Sequence, residues 1–240
     1  MVHIDPAQLA RSLHRLEPVS DGDITAALQQ AIAACVELFR VTGSGLMIAD
    51  EDNALRAAVA SDGPGRALED VQAQTGQGPC VDTFVNRRIV TTDDLDTESR
   101  WPASRGALTR HGVRAVLGVP VVLGGITVGS LDVYMNQPHQ WDDSECNALL
   151  RYSHVLETTL EAALKARHSG ELADQLQYAL DNRVVIERGV GFVMCSYGVD
   201  AVAAFNVLRR IARNQRRKVV EVVRQLLDTG VLPDRPEARR

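Results

Sequence analysis

The stretch AVLGVPVVLGGITVGSL, residues 115–131, contains no charged side chain and decides the fold class. Its length approaches that of a membrane span. However, β-branched residues are frequent in it, and Pro120 and the pair Gly124-Gly125 interrupt it. Two adjacent glycines between β-forming runs are typical of a two-residue hairpin turn. The stretch therefore predicts two strands, Val113 to Leu123 and Ile126 to Tyr134, and not a membrane helix.

The residues before this hairpin alternate between helical and extended patterns. Apolar residues recur at helical spacing from Ile24 to Phe39, and Asp21 or Asp23 can cap that helix. The remaining predicted elements are two strands (GSGLMIAD and NALRAAVAS, separated by the acidic turn DEDN), a helix ending at Gly76 (GPGRALEDVQAQTG), a turn and short helix (GQGPCVDTFVNRR), a strand (RIVTTDDL) and a helix ending at Gly112 (WPASRGALTRHG). This order predicts an α+β domain with a mostly antiparallel sheet and flanking helices.

From Asp142 to Met194 the pattern is helical, with a break at Ser169-Gly170. Several positions follow an imperfect seven-residue repeat: Leu149, Ser153, Leu156, Leu160 and Ala163. The repeat favours a homodimer formed by a parallel pair of these helices. The alternative is that the helix packs on its own sheet.

The C-terminal segment divides into three helical blocks, which predicts an all-α three-helix bundle after the long helix. The first block ends near Tyr197-Gly198, because glycine is the usual residue after a helix C-terminus. Asp200 can cap the second block, which runs to about Arg213, and Asn214-Gln215 forms the turn. The third block runs from about Arg217 to Leu227.

Charge is distributed unevenly along the 240 residues. The net charge is −5, which divides into −8 for residues 1–170 and +3 for the rest. The stretch LRRIARNQRRK, residues 208–218, carries six positive charges and no negative one. Because phosphates are repelled by an acidic surface, nucleic acid is expected to bind only the C-terminal part.

Enzymatic chemistry has little support in the sequence, so the chain is not expected to be an enzyme or to carry a cofactor. The six histidines are scattered, with no HExxH motif, and no phosphate-binding loop of the GxxxxGK[ST] type occurs. The four cysteines lack zinc spacing and are interpreted as reduced thiols of a cytoplasmic protein. Cys80 lies at a helix start, which could lower its pKa. Burial under the sheet is the other interpretation, and the favoured one.

Residues 24–165 resemble a GAF domain, a small-molecule sensor fold. The resemblance is carried by GQGPCVDTFVNRRIVTTDDL, WPASRGALTRHGVRAVLGVPV and the hairpin GGITVGSLDVY. It implies a pocket between the sheet and the loops around residues 76–111. The residues there do not identify a ligand, and a GAF domain used only for dimerisation is an equal alternative.

Residues 171–228 resemble an ANTAR domain, the RNA-binding module of transcription antitermination regulators. The resemblance is carried by RVVIERGVGFVM, YGVDAVAAFNVLRRIARNQRRK and VVEVVRQLLD. The family's A-[YF]-x-x-L-R-x-x-A pattern falls on Ala204, Phe205, Leu208, Arg209 and Ala212. Together the two resemblances imply a GAF–ANTAR regulator of the actinobacterial type.

Two departures from the ANTAR pattern affect the expected function. Where such domains commonly have A-K-G, this chain has Gly189, Val190 and Gly191, so the lysine is absent. Val223 replaces a small residue near the end of the pattern. Glycines inside a helix also cost about 1 kcal/mol each relative to alanine.

The sequence as a whole predicts a signal-responsive regulator that binds RNA hairpin loops to control transcription termination. The predicted units are an N-terminal extension (1–22), a sensor domain (23–168), an RNA-binding domain (169–230) and a disordered tail (231–240). The predicted RNA-binding residues are Arg188, Arg209, Arg213, Arg216, Arg217 and Lys218. The alternatives are an output domain that has lost RNA binding and acts through protein contacts, and a DNA-binding regulator that uses its second and third helices as a helix-turn-helix.

Overall fold

A computed structural model of the chain describes residues 4–16, 24–50, 54–165 and 171–233. The possible caps Asp21 and Asp23, the break at Ser169-Gly170 and most of the predicted tail lie outside these residues. The described part of the N-terminal extension contains a helix, α1 (Pro6–His14). Asp5 caps this helix, because its side chain accepts a hydrogen bond from the Ala7 N–H. This helix was not among the elements predicted from the sequence.

Five strands form one antiparallel sheet in the order β2-β1-β5-β4-β3. The strands are β1 (Gly43–Ala49), β2 (Leu55–Ala60), β3 (Val90–Thr92), β4 (Ala115–Leu123) and β5 (Ile126–Met135). The predicted hairpin joins β4 to β5, where Leu123 pairs with Ile126. Gly124 and Gly125 have φ of +56° and +80°, in the left-handed region that favours glycine, so this pair suits the turn.

Helices cover both faces of the sheet. One face is covered by α2 (Ile24–Phe39) and α6 (Asp143–Lys165), and the other by α3 (Gly63–Thr75) and α4 (Pro79–Asn86). The short α5 (Arg105–Arg110) contacts α3. The α+β fold with a mostly antiparallel sheet is therefore confirmed.

The heptad positions of α6 face the chain's own sheet and α2. Leu149, Ser153, Leu156 and Leu160 are all buried, and the Ser153 hydroxyl donates to the Pro120 carbonyl of β4 at 2.6 Å. The prediction that these positions form a dimer seam is wrong for them, because the same spacing serves a helix that packs on a sheet. The side chain of Ala163 lies outside the described residues.

The C-terminal segment contains α7 (Glu171–Tyr197), α8 (Ala201–Gln215) and α9 (Val219–Thr229), which contact one another pairwise. As predicted, Gly198 follows α7 with a positive φ, and Asp200 caps α8 by accepting from the Ala203 N–H at 2.7 Å. Among the described residues no single helix is long and apolar enough to cross a membrane; only the pair Leu180–Tyr197 and Ala201–Gln215, bent by 108°, passes the length and composition test jointly.

Candidate nucleic-acid interface

Helix α8 has an apolar face that is buried and a basic face that is not. The buried side chains are Ala204, Phe205, Leu208, Ile211 and Ala212. Because these fall at helical spacing on one side, Arg209 and Arg213 are left on another side, and Arg216 follows at the end of the helix. The core pattern of the helix therefore dictates where its cations lie.

The turn after α8 lies two residues later than predicted. Gln215 is still helical, and Arg216 adopts a left-handed conformation with φ of +51°, so Asn214-Gln215 does not form the turn. The Arg216 N–H bonds the carbonyls of Ala212 and Arg213, which closes the helix end. Helix α9 then begins at Val219 and not at Arg217.

Five of the six predicted RNA-binding residues line one groove, which we call the basic groove. They are Arg209, Arg213, Arg216, Arg217 and Lys218. The groove has a volume of about 370 Å³, and its other wall is formed by Ala54, just before β2, and by a sixth cation, Arg56 of β2. The sixth predicted residue, Arg188, is exposed on α7 and does not line the groove.

Neighbouring side chains fix the orientation of several cations in the basic groove. Arg217 donates to the Gln225 side chain at 2.6 Å and to the Glu221 carbonyl at 3.2 Å. The Lys218 ammonium lies 5.1 Å from the centre of the Tyr178 ring. Arg213 and Arg216 are exposed. The groove therefore combines oriented and solvent-facing cations, as a phosphate-binding surface requires.

Helix α8 also contacts the sheet domain, the described part of residues 24–165. The Asn206 amide donates to the Gly76 carbonyl at 3.1 Å, and the Arg209 guanidinium donates to the Ala73 carbonyl at 3.2 Å. Both acceptors lie at the C-terminal end of α3, where helix carbonyls lack partners within the helix. One predicted RNA-binding arginine therefore also holds the two parts of the chain together.

Phe84, on α4, is the centre of the apolar part of this contact. Its ring meets Phe205 edge to face at 6.3 Å, and the Arg183 guanidinium carbon lies 4.0 Å from its centre. Arg183 is buried and donates to the Phe84 carbonyl at 3.3 Å and to Glu187 at 2.9 Å. Burial lowers the pKa of Arg183 to about 10, and the Glu187 carboxylate counteracts part of that effect.

A buried polar cluster lies between the sheet and helices α3 and α4. It consists of Glu69, Gln72, Cys80, Thr83, Ser130 and Asp132, all fully buried. The Cys80 thiol donates to Asp132 at 3.3 Å, and the Cys80 N–H donates to Gln72 at 2.8 Å. Within the described residues, both Glu69 carboxyl oxygens and one Asp132 oxygen have no hydrogen-bond partner.

Burial raises the pKa of Glu69 and of Asp132 above the ordinary carboxyl range, and the Asp132 charge raises that of Glu69 further. Burial also raises the pKa of the Cys80 thiol, and the Asp132 charge adds to this. The buried interpretation of Cys80 is therefore confirmed, and it is not an activated thiol. The sequence contains one sign of this cluster: the GSLDVY stretch of β5 places a carboxyl group, that of Asp132, inside an otherwise apolar strand.

The loops at residues 76–111 line a cavity of about 440 Å³, but its opposite wall is α8 and not the sheet. Asp82, Trp101, Asp200 and Asn206 are among its lining residues. The space between the sheet and helices α3 and α4 holds the buried polar cluster. No three His, Cys, Asp or Glu side chains in the described ranges are placed to hold a metal ion.

Comparison with protein-family models finds two domains. The GAF model matches residues 23–160, which is more than half of the chain. The chain belongs to the GAF domain family. An ANTAR domain follows it over residues 174–227. The basic groove therefore lies between a GAF domain and an ANTAR domain.

Solved structures of low identity share the GAF fold. The GAF domain of a phosphoenolpyruvate-protein phosphotransferase from Coxiella burnetii matches with a TM-score of 0.55 at 15% identity, covering 67% of this chain and 96% of its own. The equivalent Acinetobacter domain gives 0.54 at 16%, covering 69% and 98%. Free methionine-R-sulfoxide reductase from Neisseria meningitidis gives 0.52 at 22%, covering 66% and 89%. A comparison with curated proteins gives no match.

Inside the ANTAR domain, the two departures from the family pattern touch each other. A β-carbon added at Gly189 of α7 would lie 2.5 Å from a methyl carbon of Val223 on α9, closer than carbon atoms approach. The larger Val223 is therefore accommodated by the smaller Gly189, so the helix-weakening glycine has a packing reason. Taken together, a GAF domain followed by an ANTAR domain supports a signal-responsive regulator.

Proposed function

We propose that this chain is a cytoplasmic, non-enzymatic regulator that binds RNA hairpins through the basic groove and thereby controls transcription termination. The observation that carries the proposal is the convergence of five predicted RNA-binding cations on one groove of an otherwise acidic protein. Guanidinium groups bind phosphate in a bidentate manner and stack on unpaired bases. Tyr197, 41% exposed at the end of α7, offers an aromatic ring for the same purpose.

The contact between the domains suggests how the GAF domain regulates the output. Arg209 donates to the Ala73 carbonyl in the docked arrangement, so RNA has to compete with the GAF domain for this side chain. A small molecule or another signal that alters α3 or α4 would release α8. RNA affinity would then rise because Arg209 becomes available.

A homodimer belongs to this proposal, although its contact cannot use the buried positions of α6. Helix α7 exposes Val184, Met194 and Tyr197 by 45%, 37% and 41%, which leaves apolar surface for a second copy. Light scattering at several protein concentrations measures the oligomeric state. A monomer at all concentrations would remove this part of the proposal.

RNA binding is tested by filter-binding titrations with paired hexaloop hairpins at several salt concentrations. The variant Arg213→Ala/Arg216→Ala removes two exposed groove cations, and Arg110→Ala, on α5 of the GAF domain, is the matched control. We expect the double variant to bind more weakly and its salt slope to fall by about 1.5, because two phosphate contacts are lost. The control should keep the wild-type slope.

Equal binding by wild type and the double variant, or no salt-sensitive binding at all, would contradict the RNA proposal. Duplex DNA of the same length serves as a competitor in the same assay. If duplex DNA displaces labelled hairpin at a lower concentration than unlabelled hairpin does, the DNA-binding alternative replaces the RNA proposal.

The second candidate is an ANTAR domain that has lost RNA binding and acts through protein contacts. Val190, which stands where a lysine is common, favours it. The variant Val190→Lys should create hairpin binding if this candidate is correct. If wild type already binds and Val190→Lys changes the affinity little, the second candidate is excluded.

A further inference from the structure

The basic groove is built jointly by the two domains. The GAF domain contributes Ala54 and, from strand β2, Arg56, while the ANTAR domain contributes the end of α8, the following turn and the start of α9. A volume of about 370 Å³ falls in the range of small-molecule sites. A ligand in this groove therefore contacts both domains at once.

The charge of the groove exceeds what its described neighbours neutralise. Of its six cations, Arg56 pairs with Asp50 at 2.6 Å and Arg217 lies 3.7 Å from Glu221. Over the described part of the chain, Arg213 and Arg216 make no ion pair. Several positive charges around one small cavity raise the local concentration of anions and favour a ligand that carries several negative charges.

The start of α9 adds backbone donors to the same cavity. Val219, its first residue, lines the groove, and the residue before it, Lys218, makes no side-chain cap hydrogen bond. The first N–H groups of a helix have no partners within the helix and carry partial positive charge. Helix starts of this kind hold phosphate groups in many proteins.

We propose that the basic groove binds a small linear polyanion of two or three linked phosphates, held by Arg56 of the GAF domain together with the ANTAR cations. Such a ligand stabilises the docked arrangement because only that arrangement brings Arg56 to the ANTAR cations. It also occupies the cations that the proposed function assigns to RNA, so it lowers RNA affinity. This second effect rests on the proposed function, whereas binding of the polyanion does not.

The direct test is calorimetric titration of tripolyphosphate into the full chain at constant ionic strength. We expect saturable binding, weakened about tenfold in Arg56→Gln, which is the effect of one charge-assisted hydrogen bond. Asp50→Asn removes the carboxylate that competes for Arg56 and should tighten binding. Arg110→Gln, an exposed arginine outside the groove, should leave it unchanged.

Two further arms identify the ligand and its source. Monophosphate at equal ionic strength should bind more weakly than tripolyphosphate. If a nucleoside triphosphate binds as tightly as tripolyphosphate, the groove recognises the phosphate chain alone. If the nucleoside triphosphate binds more tightly, the groove also contacts the nucleoside. Absence of saturable binding, or equal weakening in Arg56→Gln and Arg110→Gln, would overturn the proposal.

Competition with RNA links the site to regulation. Tripolyphosphate should raise the hairpin's dissociation constant in the wild type more than in Arg56→Gln. If the chain binds tripolyphosphate through Arg56 but no RNA, the proposed function fails and the polyanion site stands. If it binds RNA without binding tripolyphosphate, the polyanion site fails and the proposed function stands.

Discussion

Two regions of this chain, the contact between the domains and the buried polar cluster, differ in how well their enclosed polar groups are satisfied. At the contact between the domains, Arg183, Asn206 and Arg209 each donate to a backbone carbonyl of the GAF domain. In the buried polar cluster, by contrast, Glu69 and one oxygen of Asp132 lack partners among the described residues. Both regions lie within a few residues of each other on α3 and α4.

The difference indicates that the domain contact is stabilising and the cluster is not. A buried donor that has its acceptor adds modest stability, whereas a buried carboxyl without a partner destabilises the fold unless it holds a proton. The docked arrangement is therefore specified by hydrogen bonds, while the GAF domain beneath it contains groups whose proton occupancy affects stability.

The largest expected effect on stability comes from removing the Arg183 side chain at the contact between the domains. Arg183→Ala removes a buried guanidinium and leaves the Phe84 carbonyl without its donor. We expect the free energy of unfolding to fall by about 3 kcal/mol in a denaturant titration. Arg188→Ala, on the exposed side of the same helix, is the control and should cost less than about 0.5 kcal/mol. Similar losses in both variants would show that the contact at Phe84 has no special role.

The next effect concerns the unsatisfied region and depends on pH. Because the pKa of Glu69 is raised in the folded chain, Glu69 is protonated when folded and ionised when unfolded near neutral pH. Wild-type stability is thus complete below the ordinary carboxyl pKa and falls as the pH rises towards the raised value. Glu69→Gln cannot ionise, so we expect it to be more stable than wild type by about 2 kcal/mol at pH 8.

The measurement for Glu69 is the midpoint of thermal unfolding at intervals between pH 5 and pH 9, where the difference between variant and wild type should grow with pH. Gln74→Ala, an exposed and uncharged neighbour on the same helix, should not change the pH profile. If wild-type stability rises over this range, the pKa assignment to Glu69 is contradicted.

A smaller effect is expected from a substitution in the interior of the ANTAR domain, which belongs to neither of the two regions. Gly189→Ala places a methyl group against Val223, and overpacking of this kind should cost about 1.5 kcal/mol. In a double-mutant cycle, Val223→Ala should relieve most of that loss. Gly191→Ala is the control, since a β-carbon there meets no atom within 4 Å. Additive effects of the two substitutions would contradict the packing explanation.

The smallest expected effect on stability comes from removing one hydrogen bond at the contact between the domains. Asn206→Ala removes the donor to the Gly76 carbonyl and should cost about 1 kcal/mol. The exposed Asn214→Ala on the same helix should cost less. If docking restricts RNA access, Asn206→Ala should also raise hairpin affinity severalfold in a filter-binding titration. Unchanged affinity together with faster amide exchange at Gly76 would separate docking from RNA binding.

Much of the fold could be predicted because its signals are local. The Gly124-Gly125 turn, the periodicity of α2 and the Asp200 cap each depend on a few adjacent residues. The grouping of Arg209 with Arg213 also followed from helical spacing alone, whereas Arg216 joins them from the turn that ends α8. Arg217 and Lys218 could be added to the group because the turn keeps them beside it.

The remaining features depend on contacts distant in sequence. The heptad spacing of α6 is shared by coiled coils and by helices that pack on sheets, so the residues alone could not distinguish them. Asn206 and Arg209 meet carbonyls about 130 residues away. Arg56 joins the groove only because β2 is at the sheet edge near α8. Glu69 lies in the helix predicted to end at Gly76, and only the packing of α3 on the sheet shows that this carboxyl is buried.

Helix α4 is short, and its length sets the distance between the interior of the GAF domain and the ANTAR domain. Cys80 contacts Asp132 inside the GAF domain, and Phe84, one turn later, contacts Phe205 and Arg183 of the ANTAR domain. Side chains four residues apart on a helix are separated by about 6 Å. The distance from the sensor's interior to the output is thus about the diameter of an aromatic ring. A displacement of that one turn would therefore act directly on Phe205 of α8 and on Arg183 of α7.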